Sequence, residues 1–194
     1  VFEEISLPEV GRFDHVMVKH KPLSQEIEDF IVVEFQGGET TSTGKLIRSF
    51  KECMAGDSVE GKDYAFGLNM ADIWKRTFTQ VLTKGMVMES WGQKIYWVVQ
   101  EPVYQDFLNR YNLHGMKDEE KYGTAFAVFD LERADPPGDS YVLTNTRFES
   151  STVDALFTAF RQKAPVSKDK LLSRLRERMR TNSARQLGFE LRWK

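Results

Sequence analysis

Residues 11–44 read GRFDHVMVKHKPLSQEIEDFIVVEFQGGETTSTG, and this stretch decides the fold. Asp14 stands near the head of one strand-like run, Phe13-Asp14-His15-Val16-Met17-Val18. Glu34 and Gln36 close a second, Phe30-Ile31-Val32-Val33-Glu34-Phe35-Gln36. Side chains alternate along a strand, so Glu34 and Gln36 share one face and Phe35 takes the other. Pairing of the two strands can bring Asp14 to the Glu-x-Gln end. Glu34 also interrupts the apolar run FIVVEF. A charge is costly in a buried strand unless it is paired or binds a metal.

Outward from this pair the chain alternates strand-like and helix-like segments, which predicts an α/β fold. Gly37 to Gly44 form a polar loop. Met70, Ile73, Trp74, Phe78, Val81 and Leu82 then recur at helical spacing, with Asn69 placed to cap and Gly85 to end the helix. Lys75, Arg76 and Lys84 fall off that stripe. Further strands are expected at 94–100, 123–131 and 141–145, with a short helix at 102–111 between the first two. Thr152 and its neighbours can cap a helix that buries Val153, Leu156, Phe157 and Phe160. Ser167 can cap a basic helix burying Leu171, Leu172, Leu175 and Met179. Phe189, Leu191 and Trp193 alternate with Glu190 and Arg192 as an edge strand would. One clear linker, residues 134–139, interrupts the series.

The chain has 194 residues, 41% of them hydrophobic, enough for one compact domain with a core. No run approaches the ~18 apolar residues of a membrane span, and the amino-terminal residues carry no leader pattern, so a soluble, cytoplasmic protein is expected. A start on valine leaves room for a fragment or a processed form. The single cysteine, Cys53, excludes an internal disulfide or a Cys-rich metal cluster within these residues and reads as a small buried thiol. Net charge is -2, yet residues 165–194 carry nine Lys or Arg against three acids. That tail is +6 and the remainder -8, an asymmetry that suits a polyanion partner or, more plainly, a solvated helix face. The expected organisation is a core over 1–165 and a basic helix with a terminal strand over 166–194, packed on the same domain.

Two carboxylates converging at a strand end are hard oxygen ligands for Mg²⁺, and the Phe35 carbonyl lies between Glu34 and Gln36 as a further one. Metal chemistry of this kind suits attack of water on a phosphodiester, and the Gln36 amide can hold that water without acting as a base. Glu28 and Asp29 could support the site, and Glu4 or Glu9 could add an acid from an upstream helix. A strand-end Asp and Glu also occur in ordinary sheets, where they make a structural ion pair or a partner-binding edge.

An Asp opening one strand and Glu-x-Lys in the next is the signature of the PD-(D/E)xK nucleases, of which Glu-x-Gln is a variant. The runs GRFDHVMV and IVVEFQ resemble the NotI-type restriction enzymes most. The likeness is carried by residues 10–45, with Phe13 where a proline usually precedes the Asp and Gln36 where a lysine is usual. It implies a restriction-endonuclease-like core, a mixed central sheet flanked by helices, and a Mg²⁺-dependent, site-specific double-stranded DNA endonuclease of the type II restriction-modification kind. Asp14, Glu34 and Gln36 would be catalytic, and Asp14, Glu34 and Phe35 the metal ligands. Double-stranded DNA, a second copy in a homodimer for a palindromic site, and a cognate DNA methyltransferase are the implied partners.

Lys45 and Thr43 would touch the DNA backbone, as would Arg174, Arg178 and Arg185 on the basic helix; Asn145, Asn182 and Gln186 suit base edges. A phosphate-binding P-loop is a poor fit, since five residues separate Gly38 from Gly44 and Leu46 stands where a Ser or Thr is required. His15, His20 and His114 have no ligand spacing. The reading from a different class is a non-catalytic DNA-binding or protein-interaction domain that keeps a nuclease-like sheet.

Overall fold

The computed structural model describes residues 1–37, 40–58, 61–113, 116, 121–134, 141–162 and 167–186, with the side chains of 182–186 left aside. In chain order the elements are β1 (Phe2–Leu7), β2 (Gly11–His20), β3 (Ile27–Gln36), β4 (Thr40–Thr41), α1 (Thr43–Met54), β5 (Gly67–Leu68), α2 (Met70–Ser90), β6 (Lys94–Gln100), α3 (Glu101–Tyr111), β7 (Thr124–Arg133), β8 (Tyr141–Ser151), α4 (Val153–Gln162) and α5 (Lys168–Gln186). They form two compact units, Val1–Gln162 and Lys163–Lys194.

The first unit is the expected α/β core. Its six-stranded sheet runs β1-β2-β3-β6-β7-β8. The β3–β6 and β6–β7 pairs are parallel and the outer pairs antiparallel. Parallel neighbours need a crossover, and α2 and α3 supply it. The inward face of the central strands is apolar: Val32, then Ile95, Trp97 and Val99, then Phe126 and Val128 are all buried. They meet Val81 and Met88 of α2 and Tyr104, Phe107, Leu108 and Tyr111 of α3 in one cluster. Phe78 and Tyr111 stack at its edge with Phe160 tilted against both, joining α2, α3 and α4. Thr152 caps α4 as expected, accepting from the Ala155 amide at 3.1 Å, but only Val153 and Leu156 are buried while Phe157 and Phe160 stay 41% and 38% exposed.

Several sequence expectations change. The amino-terminal residues form a strand, β1, so Glu4 and Glu9 do not lie on an upstream helix; Glu4 pairs with Arg12 at 3.2 Å. The polar loop after β3 is short: Thr40–Thr41 pairs with β5, and α1 starts at Thr43. Asn69 begins α2 through its backbone carbonyl and not its side chain. Gly85 does not end the helix. It lies inside α2 where α4 and β7 come closest, and a Cβ there would meet Val153 Cγ2 at 2.7 Å and Thr124 Oγ1 at 3.1 Å. Cys53 is exposed on α1, which buries no residue. The terminal strand and most of the 134–139 linker lie outside the described residues. Among the described residues no helix is long and apolar enough to cross a membrane.

The segment after α1 is tied back to it at Glu52. That carboxylate accepts from Tyr64 Oη at 2.5 Å, Arg48 Nε at 2.8 Å and Lys62 Nζ at 3.2 Å. The Tyr64 bond and then the two cations hold the Glu52 carboxyl down to about 2. A depressed carboxyl contributes stability above its ordinary value of 4.5, and that contribution is lost as pH falls through about 2. Side-chain NMR titration of Glu52 is therefore expected to show a midpoint near 2; a midpoint at the ordinary value means that this segment leaves α1.

The second unit is described through α5. Ser167 caps it, accepting from the Lys170 amide at 3.3 Å. Among the described residues of this unit Leu171, Leu175 and Met179 are exposed, against expectation, and Leu172 is half-buried.

Candidate active site

The antiparallel register of β2 and β3 sets His15 against Val33, which carries Asp14 to the side of Glu34. There the two acids replace the regular ladder with a reciprocal exchange. The Asp14 amide donates to Glu34 Oε1 at 3.3 Å, and the Phe35 amide donates to Asp14 Oδ2 at 2.9 Å. Each carboxylate thus satisfies a backbone N–H of the other strand. The pair expected from sequence is assembled by these two bonds.

Period-two alternation then sorts the strand end as expected. Glu34 and Gln36 are buried, at 1% and 9% exposure, whereas Phe35 points to the other face, 55% exposed against the His15 ring. Behind Glu34 and Gln36 stands α2, which presents Thr77, Gln80 and Lys84 on one side at spacings of three and four. Lys84 Nζ donates to Glu34 Oε2 at 2.6 Å and to the Arg12 carbonyl at 2.6 Å, and lies 5.5 Å from the Phe13 ring centroid. The ion pair is almost fully enclosed, at 5% and 1% side-chain exposure. Gln36 Oε1 accepts from Thr77 Oγ1 at 3.0 Å, and its amide nitrogen donates to Gln80 Oε1 at 2.8 Å. Among the described residues the second amide hydrogen of Gln36 meets no acceptor.

Lys84 is the residue that sequence reasoning missed. It falls off the apolar stripe, yet it is buried, because its stem spans the packed interface while its ammonium ends on a carboxylate. The available signal was polar spacing: Thr77, Gln80 and Lys84 share a helix side, and that side meets a strand that itself carries Glu34 and Gln36. Burial pushes the Glu34 carboxyl up from its ordinary range, and the charge of Asp14 adds to this; the bond to Lys84 and its charge oppose it.

The donor set suits a hard divalent ion. Asp14 and Glu34 bring two carboxylates to one point, and Mg²⁺ is commonly held by one or two carboxylates with waters and substrate phosphate completing the shell. Among the described residues no third His, Cys, Asp or Glu joins them. Glu28 pairs with Lys19 at 3.4 Å, and Asp29 accepts from its neighbouring Phe30 amide. Thr43 and Lys45 sit in the first turn of α1, both exposed. Arg174 and Arg178 are exposed on α5, and the side chain of Arg185 lies outside the described residues. Asn145 donates to the Val128 carbonyl at 3.2 Å.

Residues 3–143 match the family model described as restriction endonuclease NotI, a span that holds Asp14, Glu34, Gln36 and Lys84. No curated protein matches the chain.

Proposed function

Because the chain belongs to the restriction endonuclease NotI family, we propose that it is a Mg²⁺-dependent type II enzyme of the PD-(D/E)xK kind, which hydrolyses phosphodiester bonds at a specific site in double-stranded DNA. The family supports the coarser part, a DNA endonuclease. The observation that supports the finer part is the reciprocal Asp14–Glu34 exchange at the ends of β2 and β3.

In this reading Asp14 and Glu34, with the Phe35 carbonyl, hold one Mg²⁺, which when bound supplies a Lewis acid to a phosphate oxygen. The chain's own groups do the rest. Gln36, fixed by Thr77 and Gln80, uses its spare amide hydrogen to orient the attacking water and has no charge with which to remove a proton. Lys84 places a positive charge beside the carboxylates, where negative charge develops on the phosphoryl group. Enclosure of Glu34 and Lys84 excludes bulk water and strengthens these interactions. Residues 1–165 form the nuclease core, and the basic helix beyond, through Arg174, Arg178 and Arg185, joins Thr43 and Lys45 in backbone contacts to DNA. A homodimer cutting a palindrome, a protecting methyltransferase and a cytoplasmic site of action complete the proposal.

A second reading has one observation in its favour. Glu34 already has a buried cation, so the acidic pair could be purely structural in a non-catalytic DNA-binding or protein-interaction domain. Incubation with unmethylated phage DNA of mixed sequence separates the two. The expected result is discrete fragments that need Mg²⁺ and fall at least about a hundredfold in rate in Asp14→Asn, which keeps the shape and removes the charge. Intact DNA in every condition, from protein that still shifts the duplex in a gel, would establish the binding-domain reading instead.

A further inference from the structure

Lys84 occupies an unusual position for a lysine. Its ammonium is buried, and it touches a carboxylate on β3 and the carbonyl of Arg12 on β2, two residues before Asp14. The same group therefore clamps the two strands whose ends carry the acids. Glu34 divides its oxygens: Oε2 is held by Lys84 and Oε1 faces the Asp14 amide. The enclosed Glu34 carboxylate and the half-buried Asp14 carboxylate beside it repel each other and would splay without a cation between the strands. In the free protein that cation is Lys84. A divalent ion held by Asp14 and Glu34 would share Glu34 with the Lys84 ammonium.

We propose that Lys84 is a positioning residue of the metal site, a resident cation that holds Glu34 against Asp14 when no metal is bound and that, by its charge, keeps the affinity of the free protein for a divalent ion low. The inference rests on the reading of Asp14 and Glu34 as metal ligands. Its physical content is a competition. At a few ångströms in a poorly solvated site, a fixed positive charge opposes a second cation strongly enough to change affinity by an order of magnitude or more. The DNA phosphate, when it arrives, offsets that charge and makes metal and substrate bind together.

The test uses Mn²⁺ alone, without DNA, so that no cleavage is read. Calorimetric titration and thermal unfolding with EDTA or Mn²⁺ are carried out on the wild-type chain, Lys84→Met, Lys84→Arg and Asp14→Asn. Lys84→Met is expected to unfold at a lower temperature than wild type in EDTA, to recover on Mn²⁺ addition, and to bind Mn²⁺ at least about tenfold more tightly. Lys84→Arg, which keeps the charge, is expected to bind as weakly as wild type. The proposal is overturned by equal Mn²⁺ affinities in wild type and Lys84→Met, by equal tightening in Lys84→Arg, or by a Lys84→Met protein that Mn²⁺ does not restore. Wild-type-like Mn²⁺ binding by Asp14→Asn, or no binding by either wild type or Lys84→Met, removes the metal-site reading itself and this inference with it.

Discussion

Glu34→Ala is expected to abolish DNA cleavage and, separately, to lower the stability of the fold by about 3–5 kcal/mol, the cost of leaving a buried charge without its partner. The activity falls because the variant removes one of the two carboxylates at the strand ends. The stability falls for a different reason: Lys84, at 5% side-chain exposure, keeps its ammonium but loses its acceptor at 2.6 Å. These two effects can be told apart. Adding Lys84→Met to Glu34→Ala removes the stranded charge and should return most of the lost stability while leaving cleavage absent, since replacing a whole buried pair by apolar groups is often neutral. Urea unfolding of the two single variants and the double variant measures the coupling. If Glu34→Ala unfolds at the wild-type urea midpoint, the Lys84–Glu34 pair is not a buried one in solution.

Trp97→Ala should cost about 3–5 kcal/mol, the usual range for emptying a buried large aromatic site. Trp97 is fully enclosed, and its parallel pairing with Glu34 puts it on the same inward face as the acid. The indole of this β6 residue is thus part of the core cluster beside the site, with residues of α2 and α3. Its Nε1 has no hydrogen-bond partner among the described residues. Trp97→Phe removes that orphan donor along with some volume, so it should cost less than half as much as the alanine change, because the two losses have opposite signs. Denaturant midpoints at unchanged m-value would check both. A Trp97→Ala midpoint within error of wild type would mean that the core over β6 is not packed as described.

How much of this was legible in the residues varies from element to element. The α2 helix, β6 and α3 follow directly from apolar spacing, since each buries one face against the same layer and the pattern survives whatever its neighbours do. α1 escaped that reading although Ile47, Phe50 and Met54 recur at spacings of three and four, a stripe that stays exposed and meets no layer of the core. Gly85 was misread for a related reason. A glycine near the end of a periodic run looks like a terminator, but here it is needed for close approach of α4 and β7, and that neighbour is far away in sequence.

At the candidate site, alternation alone determined that Glu34 and Gln36 share a face and that Phe35 does not, because the pleat fixes side-chain direction within a strand. The sequence also contained the conflict of a carboxylate in an apolar run, which marked Glu34 as paired or functional before any partner was known. Only the tertiary structure decided who the partners are. Register put Asp14 beside Glu34, and the crossover from β3 to β6 laid α2 behind them, bringing Thr77 and Gln80 to Gln36 and Lys84 to Glu34. A side chain's direction is local and can be read from the chain, whereas the charge that meets it across 50 residues depends on how the helix packs.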